Sequence, residues 1–353
     1  TIRLRGSLGL VNQLSLVAGM LIVNIAGDYG IVARSYGQTF CDWRRLSIIG
    51  VAFAIVLSTI MAMPESPKWL AQVGREEEAR RELRKLREGE VTAEEEDELA
   101  LITQICAHQD ADVGSTTSER TSAAAKLFEY KRSVIIAVGL QFFQHFSGYD
   151  AIMMYASDVF AQAGIRNPPF FVSVLMIGQV GLTFSACVFV GRCGRRPLLQ
   201  FAGVAMCLAH LGMSYHHLAL EHGMWTSSSV VLASMAVYVT GYSIGMGPIP
   251  WIVVAEVFPP EALGPASTLT IAANWLFALA VCALFRVMPS LAGWDGTYMI
   301  FAWICFACFA FVTAAVPETR CKSIDQVLWL MRSSVRLPTV RELGAHAAPK
   351  AAA

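Results

Sequence analysis

Charge is scarce in this sequence. Only 15% of its 353 residues are Asp, Glu, Lys or Arg, and the two signs balance at 27 each. With 55% hydrophobic residues and a mean hydropathy of +0.50, the chain is too apolar for an ordinary soluble domain. The zero net charge gives no support to a nucleic-acid partner. Catalytic signatures are missing as well. There is no metal-ligand spacing, nucleophile elbow or phosphate loop, so no cofactor is expected and an enzyme ranks last among the readings. The nine cysteines form no framework. Most lie in apolar segments, where cysteine acts as a small hydrophobe. Cys305 and Cys308 make a CxxC inside an apolar run, a weak redox or metal signal, and Cys41 has no obvious disulfide partner. No signal-peptide pattern opens the chain, and its first residue is Thr1. The sequence therefore reads as a fragment or an incomplete gene model.

What the sequence does have is long apolar runs. Eight read as membrane-spanning helices: 6–27, 46–63, 133–161, 170–190, 197–220, 229–258, 264–288 and 297–316. The connectors alternate in charge. Lys68, Arg75, Arg80, Arg81, Arg84, Lys85, Arg87, Lys126, Lys131 and Arg132 follow the second span. Arg192, Arg195 and Arg196 follow the fourth, and the C-terminal tail holds Arg320, Lys322, Arg332 and Arg336. The connectors 28–42, 162–169, 221–228 and 289–296 are poor in Lys and Arg. The positive-inside rule then puts the basic set, and both termini, in the cytoplasm. The connector 64–132 is expected to hold short polar helices. Glu76 to Leu86 reads EEEARRELRKL, with Glu76–Arg80 and Glu77–Arg81 as i, i+4 pairs. A second acidic helix is expected over 93–107 and a loop over 110–122.

The third span is the unusual one. Between Gln141 and Tyr155 it reads QFFQHFSGYDAIMMY. Gln141, Gln144 and His145 fall at i, i+3 and i+4 and so share one helical face. Gly148 loosens the helix before Asp150. An ionisable group at membrane depth costs roughly 2.5–3.5 kcal/mol on insertion scales, so it must face protein or a water-filled cavity. One buried amide would read as interhelical glue. Five polar residues around a glycine read as the wall of a polar path. His145 and Asp150 can titrate where amides cannot. A break at Gly148 is needed to bring them together, because five positions along a straight helix point to different faces. His210, His216 and His217 read as packing or interfacial residues at or near the end of the fifth span.

An ordered set of short segments resembles the sugar porter family of the major facilitator superfamily, which includes the facilitative glucose transporters. The segments are RGSLGLVNQL from Arg5, PESPKWL from Pro64, QFFQHFSGYDAIMMYAS from Gln141 and GRCGRRPL from Gly191. They continue with GPIPWIVVAEVFPPEALGPA from Gly247, NW at Asn274 and PETRCKS from Pro317. Their order and spacing follow the family across nearly the whole chain. The resemblance implies an all-α membrane protein with the major facilitator fold, whose eight spans are family helices five to twelve, joined by short cytoplasmic helices. It implies four domains: 1–65, the remnant of the N-terminal half; 66–132, a cytoplasmic connector; 133–316, the C-terminal six-helix half; and 317–353, a cytoplasmic tail.

The same resemblance implies a sugar site near the midplane, formed by Gln13, Gln144, His145, Asp150, Gln179, Trp251 and Asn274. His145 and Asp150 stand where the family has an amide, Gln179 where it has asparagine, and Ser243 where it has an acid before GPIPW. A cytoplasmic gate is implied at Arg5, Glu65, Arg195, Glu256 and Glu318. Here too there are departures, with Gly191 for an acid, Leu263 for an arginine and Cys321 for a glycine. The expected function is transport of a hexose or similar sugar by alternating access in the plasma membrane. The lipid bilayer is the surrounding partner, and the His145–Asp150 pair permits proton coupling. The alternatives are a non-transporting sugar sensor or degenerate remnant, and a carrier of another polyol or organic solute.

Overall fold

The computed structural model of the chain describes residues 12–27, 43–59, 65–86, 127–320, 322 and 324–332. Among the described residues almost everything is helical and there is no strand. The expected helix over 93–107, the loop over 110–122, and Arg5, Cys41 and Cys321 lie outside the described residues. Two compact units form, one of residues 1–28 with 126–353, the other of residues 29–125.

Helix α1 (Asn12–Gly27) is apolar and belongs to the first unit. The smaller unit holds α2 (Trp43–Ser58), α3 (Pro67–Gln72) and α4 (Glu76–Leu86). Helix α2 leaves Ile48, Val51, Phe53, Ile55, Val56 and Leu57 exposed, a distribution that suits lipid and not water. Helices α3 and α4 pack together around buried Leu70 and Ala79. Acidic residues fill the first turn of α4 and Arg84 and Lys85 its last, which complements the helix dipole. Its ion pairs are Arg75–Glu78 and Glu82–Lys85, each at 2.6 Å with i, i+3 spacing, in place of the expected i, i+4 pairs. The reason at the N-terminal end is geometric. The planar fork of Arg75, just ahead of the helix, takes both carboxylate oxygens of Glu78.

The larger unit continues with α5 (Lys131–Phe146), α6 (Tyr149–Met154), α7 (Ala156–Gln162), α8 (Pro168–Cys193), α9 (Arg195–Glu221) and α10 (Ser228–Gly241). A π-helical turn, Tyr242–Met246, leads into α11 (Ile249–Val257). Then come α12 (Pro260–Phe285), α13 (Met288–Ala315) and α14 (Ile324–Arg332). Five helices are long and apolar enough to cross a membrane: Pro168–Cys193, Arg195–Glu221, Ser228–Val257, Ala262–Phe285 and Met288–Ala315. They correspond to the last five of the expected spans. The stretch expected as one span over 133–161 is three helices in line.

Two interruptions shape the site. At Gly148 the backbone enters the left-handed region, φ 91°, which only glycine adopts without strain. Helix α5 ends at Phe146, just before it, and α6 restarts at Tyr149. The second lies between α10 and α11. Pro248 and Pro250 have no N–H to donate, so the ladder cannot run on regularly. The chain widens into the π turn, and the Gly247 N–H bonds back to the Tyr242 carbonyl at 2.7 Å. A third irregularity, at Gly293 in α13, lets helix begin at Met288, inside what reads as a connector in the sequence. Pro289 sits in its first turn, where a missing N–H does no harm.

Helix α9 is central, packed along α13 and α10. Leu199, Ala202, Met206, Ala209 and Met213 are buried along it at helical spacing. The periphery is apolar: Phe170, Phe184, Trp275, Leu276, Leu279 and Trp303 are exposed. Meanwhile Gln141, Gln144, Gln179, His210, Ser243 and Asn274 are buried. Apolar residues outside and polar residues inside is the distribution a bilayer demands of a spanning bundle. Helix α14 docks through buried Val327 and Met331, and the Arg132 guanidinium donates to the Met331 carbonyl at its end.

Candidate functional site

The site grows from α5. Its shared face carries Gln141, Gln144 and His145, only 0%, 4% and 7% exposed. Asn274 of α12 and the Gly247 carbonyl just ahead of α11 reach that face. The Gly148 break turns α6 so that the Asp150 carboxylate returns to His145 Nδ1. The other ring nitrogen, Nε2, lies 2.6 Å from Asn274 Oδ1 on α12. His145 is thus engaged on both sides, by residues from two helices.

Gln144 extends the network toward the π turn. Its Nε2 donates to the Gly247 carbonyl at 3.0 Å and reaches the Tyr242 hydroxyl at 3.5 Å. Gln13 approaches the same point, with its Nε2 3.4 Å from where a Gly247 Cβ would stand. Gln179 donates from α8 to the Tyr149 hydroxyl. The Tyr149 ring stacks flat on Tyr242, centroids 3.5 Å apart and planes 1° from parallel. Gln144, His145, Asp150, Gln179 and Asn274 therefore meet in one cluster, with Gln13 at its edge. Trp251 is 37% exposed on α11, and no hydrogen bond among the described residues joins it to the cluster.

Three participants were not singled out from the sequence. Tyr149 and Tyr242 form the floor that ties α6 to the π turn. The third is a backbone group, the Ser147 carbonyl. It stands where α5 ends, and carbonyls at a helix end lack intrahelical donors. His210 Nε2 meets it at 2.9 Å and the Tyr238 hydroxyl donates to it at 3.0 Å. His210 is therefore deep inside α9 and fully buried, not near the end of its span. The glycine break signalled that a carbonyl would be freed. Nothing local signalled which donors would answer it. His216 and His217 do sit toward the end of α9: His216 Nδ1 lies 2.8 Å from Thr226 Oγ1, and His217 stacks on Tyr298 at 5.5 Å. Several buried polar atoms of the cluster have no hydrogen-bond partner among the described residues: both amide atoms of Gln141, Oε1 of Gln144 and Oγ of Ser243. Such groups cost about 1–3 kcal/mol each when unsatisfied, so they favour a polar ligand.

Three of the gate candidates form a second cluster. Arg195 grips Glu256 through Nη2 at 2.6 Å and Nε at 3.2 Å. Thr319 Oγ1 donates to Glu256 at 2.6 Å. Glu318 accepts the backbone N–H of Arg195 and of Arg196, each at 3.1 Å. A carboxylate from beyond α13 thus caps the start of α9, where orphan N–H groups and the helix dipole both favour an anion. Gly194 precedes it at φ 91°, and a Cβ there would stand 2.7 Å from Glu318 Oε2. Of the five gate candidates, Arg195, Glu256 and Glu318 are brought together. Glu65 is exposed in the smaller unit. Loss of the cap in Glu318→Ala is expected to destabilise the protein by about 1–2 kcal/mol. Thermal unfolding in detergent checks this, and Glu318→Gln, which keeps an acceptor, should recover part of the loss.

Long helices that turn apolar faces outward and gather a hydrogen-bonding cluster at their centre define a multi-pass integral membrane protein. Within that class the chain belongs to the family described as "Sugar (and other) transporter", which matches residues 1–330. Among its relatives, "Facilitated trehalose transporter Tret1" of Bombyx mori is 32% identical over 94% of this chain and 63% of its own length. "Sugar transporter ERD6-like 16" of Arabidopsis thaliana is 32% identical over 92% of this chain and 64% of its own. The chain thus spans a little under two thirds of these relatives. The crystallised proton:xylose symporter XylE, bound to 6-bromo-6-deoxy-D-glucose, superposes with a TM-score of 0.73 at 24% identity, covering 93% of this chain and 68% of that one. The fold is that of the major facilitator superfamily.

Proposed function

We propose that the protein carries a hexose or a similar sugar across the plasma membrane by alternating access. The observation that supports this most directly is the cluster of buried Gln144, His145, Gln179 and Asn274 with half-buried Asp150, around a helix broken at its centre. Sugar hydroxyls both donate and accept, and so do amides. Gln144 keeps a free Oε1 for a hydroxyl donor, and Gln141 keeps both amide atoms free. Asp150 is the cluster's carboxylate acceptor, and Trp251 supplies an aromatic face for the apolar side of a pyranose ring. The relatives' names, trehalose and sugar transporters, agree with this substrate class.

Alternating access needs an element that opens at one end. Arg195, Glu256 and Glu318 are its cytoplasmic candidates, with Arg5 and Glu65 as the family's further gate positions. The arginine and lysine distribution supports a cytoplasmic location for this end and for both termini. No covalent step is involved.

The test is calorimetric titration of the chain in lipid nanodiscs with glucose, xylose and trehalose, followed by flux of the bound sugar with the protein as the cell makes it. Saturable binding of at least one sugar is expected, with labelled sugar entering vesicles. Absence of binding to all three by helical, monodisperse protein would overturn the reading.

A further inference from the structure

We propose that His145, Asp150 and Asn274 together hold one exchangeable proton, and that sugar binding takes that proton up. The inference rests on the sugar-binding role proposed for this cluster. It starts from a count of donors. His145 faces an oxygen at each ring nitrogen, the Asp150 carboxylate at Nδ1 and the Asn274 carbonyl oxygen at Nε2. Neither oxygen has a proton of its own if Asp150 is ionised. A neutral imidazole has only one N–H and can satisfy only one of them. Both contacts are satisfied together when one proton is added. Either the imidazolium donates on both sides, or a protonated Asp150 donates to Nδ1 while Nε2–H donates to Asn274. The two forms have the same proton count and the same zero net charge, so the proton belongs to the pair and not to one residue.

The surroundings give this proton its consequence. Among the described residues, the titratable side chains placed around the pair are Tyr149 on α6, Tyr238 on α10, Tyr242 in the π turn and Cys282 on α12. None of these is a basic side chain that would neutralise a lone carboxylate. Losing the proton leaves one net negative charge beside the cluster and one contact of His145 unmade. An uncompensated charge at membrane depth is costly, and most so once the site closes around a sugar and excludes water. A closed, sugar-filled site therefore favours the protonated pair. The sign follows. Sugar binding takes up a proton, so affinity falls as pH rises through the range where the pair gives its proton up. Asn274 sits on α12 and the pair on α5 and α6, so the proton also links three helices.

Two measurements test the idea, one of them independent of sugar. Nitrogen-15 spectra of labelled histidine, with His145→Gln used for assignment, are expected to show one pH-dependent step at His145. That step should shift or vanish in Asp150→Asn. An unchanged step in Asp150→Asn, or none in the native chain, overturns the proposal. It would mean that Asn274 presents its amide N–H to a neutral His145 and that Asp150 stays ionised. The second is sugar titration in buffers of different ionisation enthalpy. Up to one proton taken up per sugar is expected, with the dissociation constant rising as much as ~10-fold per pH unit at the upper end, and with His145→Gln flattening the profile. Sugar binding that is flat with pH and independent of buffer overturns the proton linkage while leaving the sugar site standing. Absence of sugar binding alongside a normal His145 step removes the sugar site instead.

Discussion

The Gly148→Val variant is expected to lose saturable sugar binding while keeping its helix content. Position 148 is held at φ 91°, where an L-residue places its Cβ too near the following carbonyl oxygen. The backbone alone would lose about 1–2 kcal/mol, and a β-branched side chain is the worst case there. There is no room to absorb the change. A Cβ would stand 3.2 Å from Ile152 Cδ1 and 3.3 Å from two ring atoms of Phe301. Overpacking of this kind typically adds about 1–3 kcal/mol. The strain is relieved if α5 runs on through position 148. That rotation takes Asp150 away from His145, and it takes the Ser147 carbonyl away from His210 and Tyr238. Most backbone bonds survive, because they are local to each helix. Calorimetric titration with sugar, paired with far-ultraviolet circular dichroism, separates the two effects. Gly148→Ala should be intermediate. Near-native affinity in Gly148→Val would show that the break is not what assembles the site.

The second large effect is expected at Gln144. In Gln144→Leu, sugar affinity should fall about 10- to 100-fold, since a buried polar partner left unpaired is worth about 1–3 kcal/mol. Two losses combine. The Gly247 carbonyl, beside the prolines at 248 and 250, loses the amide that meets it at 3.0 Å. The sugar loses the acceptor Oε1, the Gln144 atom left unpaired among the described residues. Gln144→Glu is the informative partner, because it keeps the size and the acceptor but removes the N–H. If loss of the Gly247 contact dominates, Gln144→Glu should bind almost as poorly as Gln144→Leu. If the acceptor to sugar dominates, it should recover much of the affinity. Equal, native-like affinity in both variants would remove Gln144 from the site.

Much of this architecture was legible because its causes are local. Apolar runs longer than a bilayer is thick must be helical, since only then are all backbone groups satisfied in lipid. The face shared by Gln141, Gln144 and His145 follows from helical period alone, and their burial agrees with it. The pairing of His145 with Asp150 required only that Gly148 break the helix, and a glycine between polar residues is where a break is easiest. The kink before α11 was announced by Pro248 and Pro250. Family motifs carried the rest of the candidate list, including the cytoplasmic acids.

Other features had no local cause to read. Tyr149 and Tyr242 are 93 positions apart by number, and each alone is an ordinary aromatic in an apolar run. Glu318 looks like a surface acid after a helix, yet it caps a helix that starts more than a hundred residues earlier. Arg132 reads as a positive-inside anchor, yet it also ends α14 through the Met331 carbonyl. Helix α13 starts earlier than expected because polar Asp295 and Gly296 look like a connector. The bend at Gly293 instead lets helix flank it on both sides.

The sequence by itself determined the helices, their apolar outward faces, the places where the chain must bend, and the polar residues too costly to leave in lipid. Those are consequences of composition, period and backbone chemistry over a few neighbouring residues. Only the tertiary structure decided which distant groups answer the donors and acceptors that the bends release. His210 and Tyr238 share the Ser147 carbonyl, Asn274 faces His145, and Gly247 receives Gln144. A freed carbonyl must be satisfied, but any donor brought within reach will do. Which donor arrives depends on how the helices pack, and that depends on contacts spread over the whole unit.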